Sequence, residues 1–324
     1  VKVNRHASQL HRRLLESLTH QLSRRQLNVD KIRLDAQELD LTAITDVLAN
    51  PEDFIWIQNH VLKSSPTDFL NFAAMIPQAT KTYLIGATLA MSEKQAVFPE
   101  LLGFTDYTFD RMPLEKINNQ QVYVATDSVD VTTESPENYA KFISEQVRQV
   151  AKIGKSMVVL FTSNDSLALT AQALEAAEVD FLQADVSEDA SRIKKKFDER
   201  DQAILLGSKK FWEGVDFERQ DDLILLVTRL PFTVPDDILI RKYAKRFKNP
   251  FFDFSVPMAT LQLKQALGRV NRRKDQKSVV IILDKRLAGK TYAKKMVKNL
   301  RQASRVDFAK LDDILQETKS FWKE

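Results

Sequence analysis

The chain has 324 residues, enough for one large domain or two ordinary ones, and its 44% hydrophobic and 28% charged residues describe a water-soluble protein with a sizeable core. It has no cysteine, which excludes disulfides, thiolate zinc sites and an iron–sulfur cluster within the chain, and the histidines nearest each other, His6 and His11, miss the i, i+4 spacing of helical metal ligands, so no metal site is expected. A net charge of +4 admits nucleic acid as a partner without requiring it, while no apolar run approaches the ~20 residues of a membrane span and no signal-peptide pattern opens the chain, so a cytoplasmic protein with no membrane partner is expected.

Residues 1–52 read as a mainly helical segment: Leu10, Leu14, Leu18 and Leu22 recur every four residues between basic side chains, and a second helix over 41–50 stops at Asn50-Pro51. The segment opens without an initiator Met, as a piece of a longer protein would. From Phe54, FIWIQNHVL is strand-like, Pro66 to Asp68 opens a helix reaching Met75, and Tyr83 to Leu89 is a short buried strand. A looser stretch from Met112 to Pro136 carries the strand QVYVAT and joins two units. Beyond it the pattern is regular: a helix from Glu137 to Ile153, the strand MVVLF, a helix from Ser166 to Ala177, the strand AILL, a glycine-containing loop, the strand LILLV, a helix ending at Phe247, a helix carrying QALGRVNRR, and the strand VVIIL. Short apolar strands alternating with helices imply an α/β fold, a parallel sheet with helices on both faces. Ligands on such sheets sit at the carboxyl ends of the strands.

Three loops or helix ends carry candidate chemistry. In QALGRVNRR, Gln265, Arg269 and Arg272 are spaced i, i+4, i+7 and share one helical stripe. Two guanidiniums on adjacent turns repel unless an anion lies opposite, and Gly268 permits a close approach there, so a phosphate is the natural guest. The loop FTSN, residues 161–164, offers Thr162 and Ser163 at a helix start, either as helix caps or as phosphate ligands. In GSKKFWEGVDF, residues 207–217, Glu213 and Asp216 flank Gly214 beyond a strand, where carboxylates can accept ribose hydroxyls or water. Lys209 and Trp212 in the same loop can meet nucleic acid by charge and stacking, or Trp212 can plug the core beside Phe211. Gly154-Lys155-Ser156 and Gly289-Lys290-Thr291 end like phosphate loops but lack the glycine five positions before, where Gln149 and Asp284 stand. No Asp-Glu pair follows an apolar strand, so guanidiniums are present without a phosphate cradle.

Taken in order, these segments resemble the second motor domain of a superfamily 2 helicase, of the DinG branch of the DinG/XPD group. GATL (86–89) resembles motif III, VVLFTSN (158–164) motif IV and GSKKFWEGVDF motif V. RLPFTVPDD (229–237) is similar to a segment typical of DinG proteins, VPMATLQLKQALGRVNRR (256–273) to motif VI, and LDKR (283–286) to the segment after it. Ala266 and Asn271 replace the Gly and Ile common in motif VI.

The resemblance implies a RecA-like motor domain over 118–324, a remnant of the first motor domain with motif III over 53–117, and the end of an arch-like insertion over 1–52. It implies that Arg269 and Arg272 reach the γ-phosphate of ATP bound with Mg²⁺ between two motor domains, that Gln265 helps place water or phosphates, and that Glu213, Gly214, Asp216 and Gly268 line the nucleotide. Thr162, Ser163, Ser208, Lys209 and Trp212 would hold single-stranded DNA, and Thr88 would couple the two sites. The implied function is the C-terminal part of an ATP-dependent DNA helicase whose phosphates are held by a P-loop domain absent from this chain, which alone would be inactive. The alternatives are the motor-like region of a DinG-type 3'-5' exonuclease, or a nucleic-acid-binding module without catalysis.

Overall fold

From residue 119 onward, apolar runs of strand length alternate with amphipathic stretches, and each becomes strand or helix in turn. The computed structural model describes residues 54–58, 61–65, 81–86, parts of 102–110, 119–183, 190–208, 211–212, 217, 222–233, 242, 247–271 and 275–323. The chain falls into two compact units, Val1–Lys81 with Pro99–Thr105, and Thr82–Phe98 with Asp106–Glu324.

In the first unit, β1 (Phe54–Gln58) and β2 (Val61–Ser65) form an antiparallel hairpin with Gln58 opposite Val61. The sequence reading of one strand is corrected to two, which pair from Phe54 opposite Ser65 to Ile57 opposite Leu62. In the second unit, Tyr83–Gly86 is neither strand nor buried, with Tyr83 75% and Ile85 94% exposed. The expected buried strand over 83–89 is therefore overturned for its described part. An apolar run becomes a buried strand only by pairing, and among the described residues none pairs with it.

The second unit runs in order through β3 (Gln120–Ala125), α1 (Pro136–Ala151), β4 (Ser156–Leu160), α2 (Asn164–Glu175), β5 (Leu182–Gln183), α3 (Ala190–Asp198), β6 (Ile204–Gly207), β7 (Asp222–Val227), α4 (Val256–Arg269), β8 (Lys277–Ile282), α5 (Arg286–Gly289), α6 (Ala293–Leu300), β9 (Arg305–Ala309) and α7 (Leu311–Phe321). Seven strands form one sheet in the order β5-β6-β4-β7-β8-β3-β9, every pair parallel. This is the expected α/β architecture with helices on both faces. The strand QVYVAT, read as part of a connecting stretch, is β3, held between β8 and β9. Sequence reading missed β5, α3, α5, α6, β9 and α7. The helices expected over 1–50 and 66–75 lie outside the described residues, as does most of the one ending at Phe247.

Alternate residues of each strand feed two cores. Val122, Val158, Leu160, Leu205, Leu225 and Val280 meet α3, α4 and α6 through Phe197, Leu263 and Met296. Tyr123, Met157, Val159, Leu206, Leu226 and Ile281 meet α1, α2 and α7 through Ile143, Leu174 and Ile314. Period-two alternation on a fully covered sheet makes both sets apolar, which is why the strands read as continuous hydrophobic runs. Among the described residues no helix is long and apolar enough to cross a membrane.

Local chemistry sets the helix starts. Pro136 stands at the first position of α1 behind Ser135, whose Oγ accepts from the Asn138 amide at 3.2 Å. Before α4 the chain makes a π turn, Phe251–Ser255, in which the Val256 amide donates to the Phe251 carbonyl. Pro257 lacks the N–H that an α-helical bond to residue 253 needs, so the wider turn fits the chain there.

Tyr139 on α1 is 3% exposed, and its hydroxyl donates to the Thr228 carbonyl at 2.5 Å. Burial, partly offset by the neighbouring Arg229 guanidinium, pushes its phenol up to about 12. The unfolded chain loses this proton near pH 10 while the folded chain keeps it to about pH 12, so this stabilisation is complete below pH 10 and is lost as pH rises across that window. Denaturant midpoints measured from pH 9 to 12 should fall more steeply for the natural chain than for Tyr139→Phe, by up to ~2–3 kcal/mol in total; parallel curves would refute this.

Candidate functional site

At the carboxyl edge of the sheet, β4 and β6 end side by side and present hydroxyls. Ser163 caps α2, its Oγ accepting from the Ser166 amide at 3.2 Å, which is the capping reading of this loop. Ser208 beyond β6 donates to Asn164 Oδ1 at 2.7 Å, tying the two loops together. Thr162, Ser163 and Ser208 are all partly exposed.

The stacking role expected of Trp212 is overturned. Its indole is 2% exposed, and Nε1 donates to the Phe161 carbonyl at 2.8 Å, so neither ring face is open to a base. Trp212 and the equally buried Phe211 plug the core as the chain leaves β6. Gly207 permits that turn. A Cβ there would lie 2.7 Å from Phe211 Cβ and 2.6 Å from its Cγ, closer than any side chain tolerates.

The crossover from β6 to β7 then runs from the carboxyl edge to the amino edge, and Phe217, 1% exposed, packs edge-on against Phe197 at 5.8 Å. Its amide faces the Arg269 carbonyl at 3.4 Å, and its carbonyl accepts from Gln276 Nε2 at 3.2 Å. Two segments 52 positions apart in sequence thus meet at the end of α4. Gln265 and Arg269 lie on the partly exposed stripe of that helix, opposite Leu263, Ala266 and Leu267 in the core. A Cβ on Gly268 would meet nothing within 4 Å, so that side of the turn is open to an incoming group.

One expectation about this helix is corrected and another falls outside the described residues. It ends at Arg269, with Val270 at φ −97 and ψ 4 as its cap, and Arg272, expected on the stripe of Gln265 and Arg269, lies beyond the described part. The guanidinium end also lies beside the amino ends of β3 and β8, not at the carboxyl edge where the sheet rule puts ligands.

A cluster of amides holds it there. Gln120 Nε2 donates to the Leu267 carbonyl at 2.9 Å and to Ser278 Oγ at 3.2 Å, and Ser304 Oγ donates to Gln120 Oε1 at 2.7 Å. Asn271 Nδ2 reaches the carbonyls of Asn119 at 3.3 Å and Gln276 at 3.1 Å. Asn271, where motif VI usually has Ile, therefore ties the loop after the helix to the sheet. These amides escaped sequence reading, although the run Asn118-Asn119-Gln120-Gln121 at a strand start was a visible signal.

Of the other expected residues, Thr88, Lys209, Glu213, Gly214, Asp216 and Arg272 lie outside the described residues. No group of three or more His, Asp or Glu among the described residues could hold a metal. At the carboxyl end of β8, sequence reading noticed LDKR only as part of a resemblance. There Asp284 is fully buried, accepting from the amides of Leu230 at 2.9 Å and Arg286 at 3.1 Å, and pairing with Arg286 Nη2 at 2.6 Å.

Residues 146–303 match the family described as helicase C-terminal domain. The chain is 31% identical over 229 residues to the "3'-5' exonuclease DinG" of Bacillus subtilis (strain 168), a match covering 65% of this chain and 24% of that protein. It is 32% identical over 130 residues to the "ATP-dependent DNA helicase YoaA" of Haemophilus influenzae, covering 39% of this chain and 20% of that one. The chain thus spans less than a third of the length of these curated relatives. Among solved structures, "XPD_APO" aligns with 58% of this chain and 40% of its own at 19% identity and a TM-score of 0.44, a likeness too loose to build on.

Proposed function

Residues 146–303 being a helicase C-terminal domain of the DinG/XPD-like kind, we propose that this chain is the second half of an ATP-driven motor on DNA. The carrying observation is the spatial division of the site. The end of α4 that carries Arg269 is held at the amino edge by the buried Gln120 amide and met by Phe217, while the hydroxyl loops of Ser163 and Ser208 lie at the carboxyl edge.

Under this reading a P-loop-bearing motor domain, outside this chain, grips the triphosphate and Mg²⁺. Arg269 and Arg272 complete the nucleotide site as the two domains close, with Gln265 placing water or phosphate and Glu213, Gly214, Asp216 and Gly268 lining the cleft. A guanidinium on a half-buried helix end, as at Arg269, suits a phosphate, since its planar fork matches the oxygens and its charge survives burial. Thr162, Ser163, Ser208 and Lys209 hold the backbone of single-stranded DNA, and Thr88 couples strand to nucleotide. The division of the chain is proposed as 1–52, the end of an arch-like insertion; 53–117, part of the first motor domain; and 118–324, the second.

A second reading follows from the Bacillus subtilis relative, whose name is that of an exonuclease. In it the same segment binds nucleotide and DNA on behalf of a nuclease domain. The purified 324-residue chain should bind single-stranded DNA with strong salt dependence and hydrolyse ATP negligibly. Sustained turnover by a clean preparation would sink the division of labour, and failure to bind DNA would sink the nucleic-acid part.

A further inference from the structure

Four aromatic rings collect at the carboxyl edge beyond β7 and β8. Phe232 follows β7, Tyr292 lies between α5 and α6, and Phe251 and Phe252 stand on the π turn ahead of α4. Phe232 stacks on Phe251 with centroids 5.6 Å apart, Tyr292 meets both edge-on at 5.3 and 5.5 Å, and Phe252 meets Phe251 edge-on at 5.3 Å. Phe251 is 41% and Phe252 40% exposed, so the outer half of the cluster faces solvent.

The turn is also stiff. The Asn249 amide donates to Asp253 Oδ2 at 3.0 Å while the Phe252 amide donates back to Asn249 Oδ1 at 3.3 Å. Rings fixed in this way lose little freedom when something stacks on them.

The segment after β8 is basic, although Arg286 is paired with Asp284, Lys285 lies 3.9 Å from Asp130, and the π turn itself carries Asp253. Residues 285–301 contain Lys285, Arg286, Lys290, Lys294, Lys295, Lys298 and Arg301 and no acidic residue. Lys290, Lys294, Lys295 and Lys298 are exposed, and the Arg286 guanidinium lies 5.6 Å from the Phe232 ring centroid. Lys294 and Lys298 sit four apart on α6, where like charges repel unless an anion lies over them. Exposed rings beside the exposed Lys290, Lys294 and Lys298 suit an unpaired strand of nucleic acid: bases for the rings, phosphates for the lysines. A protein partner with an acidic, apolar face would use the same groups but would not need the turn that carries Phe251 and Phe252 to be stiff.

We propose that Phe251, Phe252, Phe232 and Tyr292, with the lysines of 285–298, form a base-stacking platform for single-stranded DNA. It rests on the motor reading above and supplies the stacking element that Trp212 does not. It also continues the hydroxyl track of that reading. From β6 to β8 the carboxyl edge crosses three strand spacings, about 14 Å at ~4.8 Å each, so one short stretch of DNA can touch Ser208, Ser163 and the rings together.

The test uses the full 324-residue chain and fluorescein-labelled oligodeoxythymidylate of about 12 nucleotides, within the usual site size, beside an abasic strand of equal length. The natural chain should prefer the strand that carries bases. Phe251→Ala/Phe252→Ala should bind that strand roughly 10- to 100-fold more weakly and the abasic strand unchanged, since stacking is the only contact removed. Phe252→Leu, which keeps apolar bulk without a ring, should lose affinity for the base-bearing strand alone. Lys290→Glu/Lys294→Glu should weaken both strands and flatten the salt dependence.

Unchanged affinity of the double Phe variant for the base-bearing strand overturns the platform while leaving the motor reading intact. A change in the solution mass of that variant without a change in DNA affinity overturns it too, and makes the rings a protein-docking surface. No binding of either strand by the natural chain defeats the DNA reading itself.

Discussion

Arg269→Ala and, separately, Arg272→Ala should each lower DNA-stimulated ATP hydrolysis about 10³–10⁵-fold in a protein that joins this chain to a P-loop-bearing domain. Charge spreads over the oxygens of the transferring phosphoryl group as its bond to the leaving group loosens, and a guanidinium already in place stabilises that charge without reorganising water. Such a contact strengthens in the transition state, so kcat should fall far more than KM for ATP rises. Arg269→Lys should restore little, because an ammonium is a point charge without the planar fork. Arg269 stands at the end of α4, whose last turn is held by Gln120 and by the approach of Phe217, so the substitution leaves its scaffold in place. Hydrolysis at the natural rate in either alanine variant would remove that arginine from the nucleotide site.

Asp284→Ala should lower folding stability by ~3–5 kcal/mol, the largest effect expected from a residue outside the nucleotide site. The carboxylate is fully buried and serves three structural partners: the Leu230 amide, the Arg286 amide and the Arg286 guanidinium. Removing it strands a guanidinium whose side chain is only 17% exposed and leaves the Leu230 amide, in a buried residue, without its acceptor. Asp284→Asn, which keeps the shape and one acceptor oxygen, should cost less than alanine but remain clearly destabilising, because the charge pair is gone. Urea midpoints at constant slope would read both values; a shift for Asp284→Ala worth less than about 1 kcal/mol would show that the pair contributes little. The loss should reach the ring cluster, since Arg286 lies against Phe232.

Much of the fold was legible in the chain. MVVLF, AILL, LILLV and VVIIL became β4, β6, β7 and β8 with shifts of one residue or so, because a strand buried on both faces must be apolar throughout. α1 and α2, expected from Glu137 and Ser166, start at Pro136 and Asn164, behind the caps Ser135 and Ser163. What escaped was short or ambiguous. β5 has two residues, and β9, Arg-Val-Asp-Phe-Ala, buries well only Val306, so neither carries an apolar run to notice. Tyr83–Gly86 erred the other way, since an apolar run is no guarantee of a neighbour to bury it.

The candidate site divided along the same line. The chain by itself determined that guanidiniums, hydroxyls and a glycine-containing crossover occur in the order of a helicase motor, and that helix and strand alternate, because these depend on residues at most a few positions apart. Only the tertiary structure decided that Trp212 is a core plug bonded to a carbonyl 51 positions away, that α4 stops at Arg269, and that Gln120 grips its last turn across 147 positions. It alone placed Arg269 and the serine loops at opposite edges and brought Phe232, Phe251 and Tyr292 into one cluster. Local periodicity reports which face of an element is apolar. Which elements meet at an edge depends on chain closure over long separations, which no short pattern encodes.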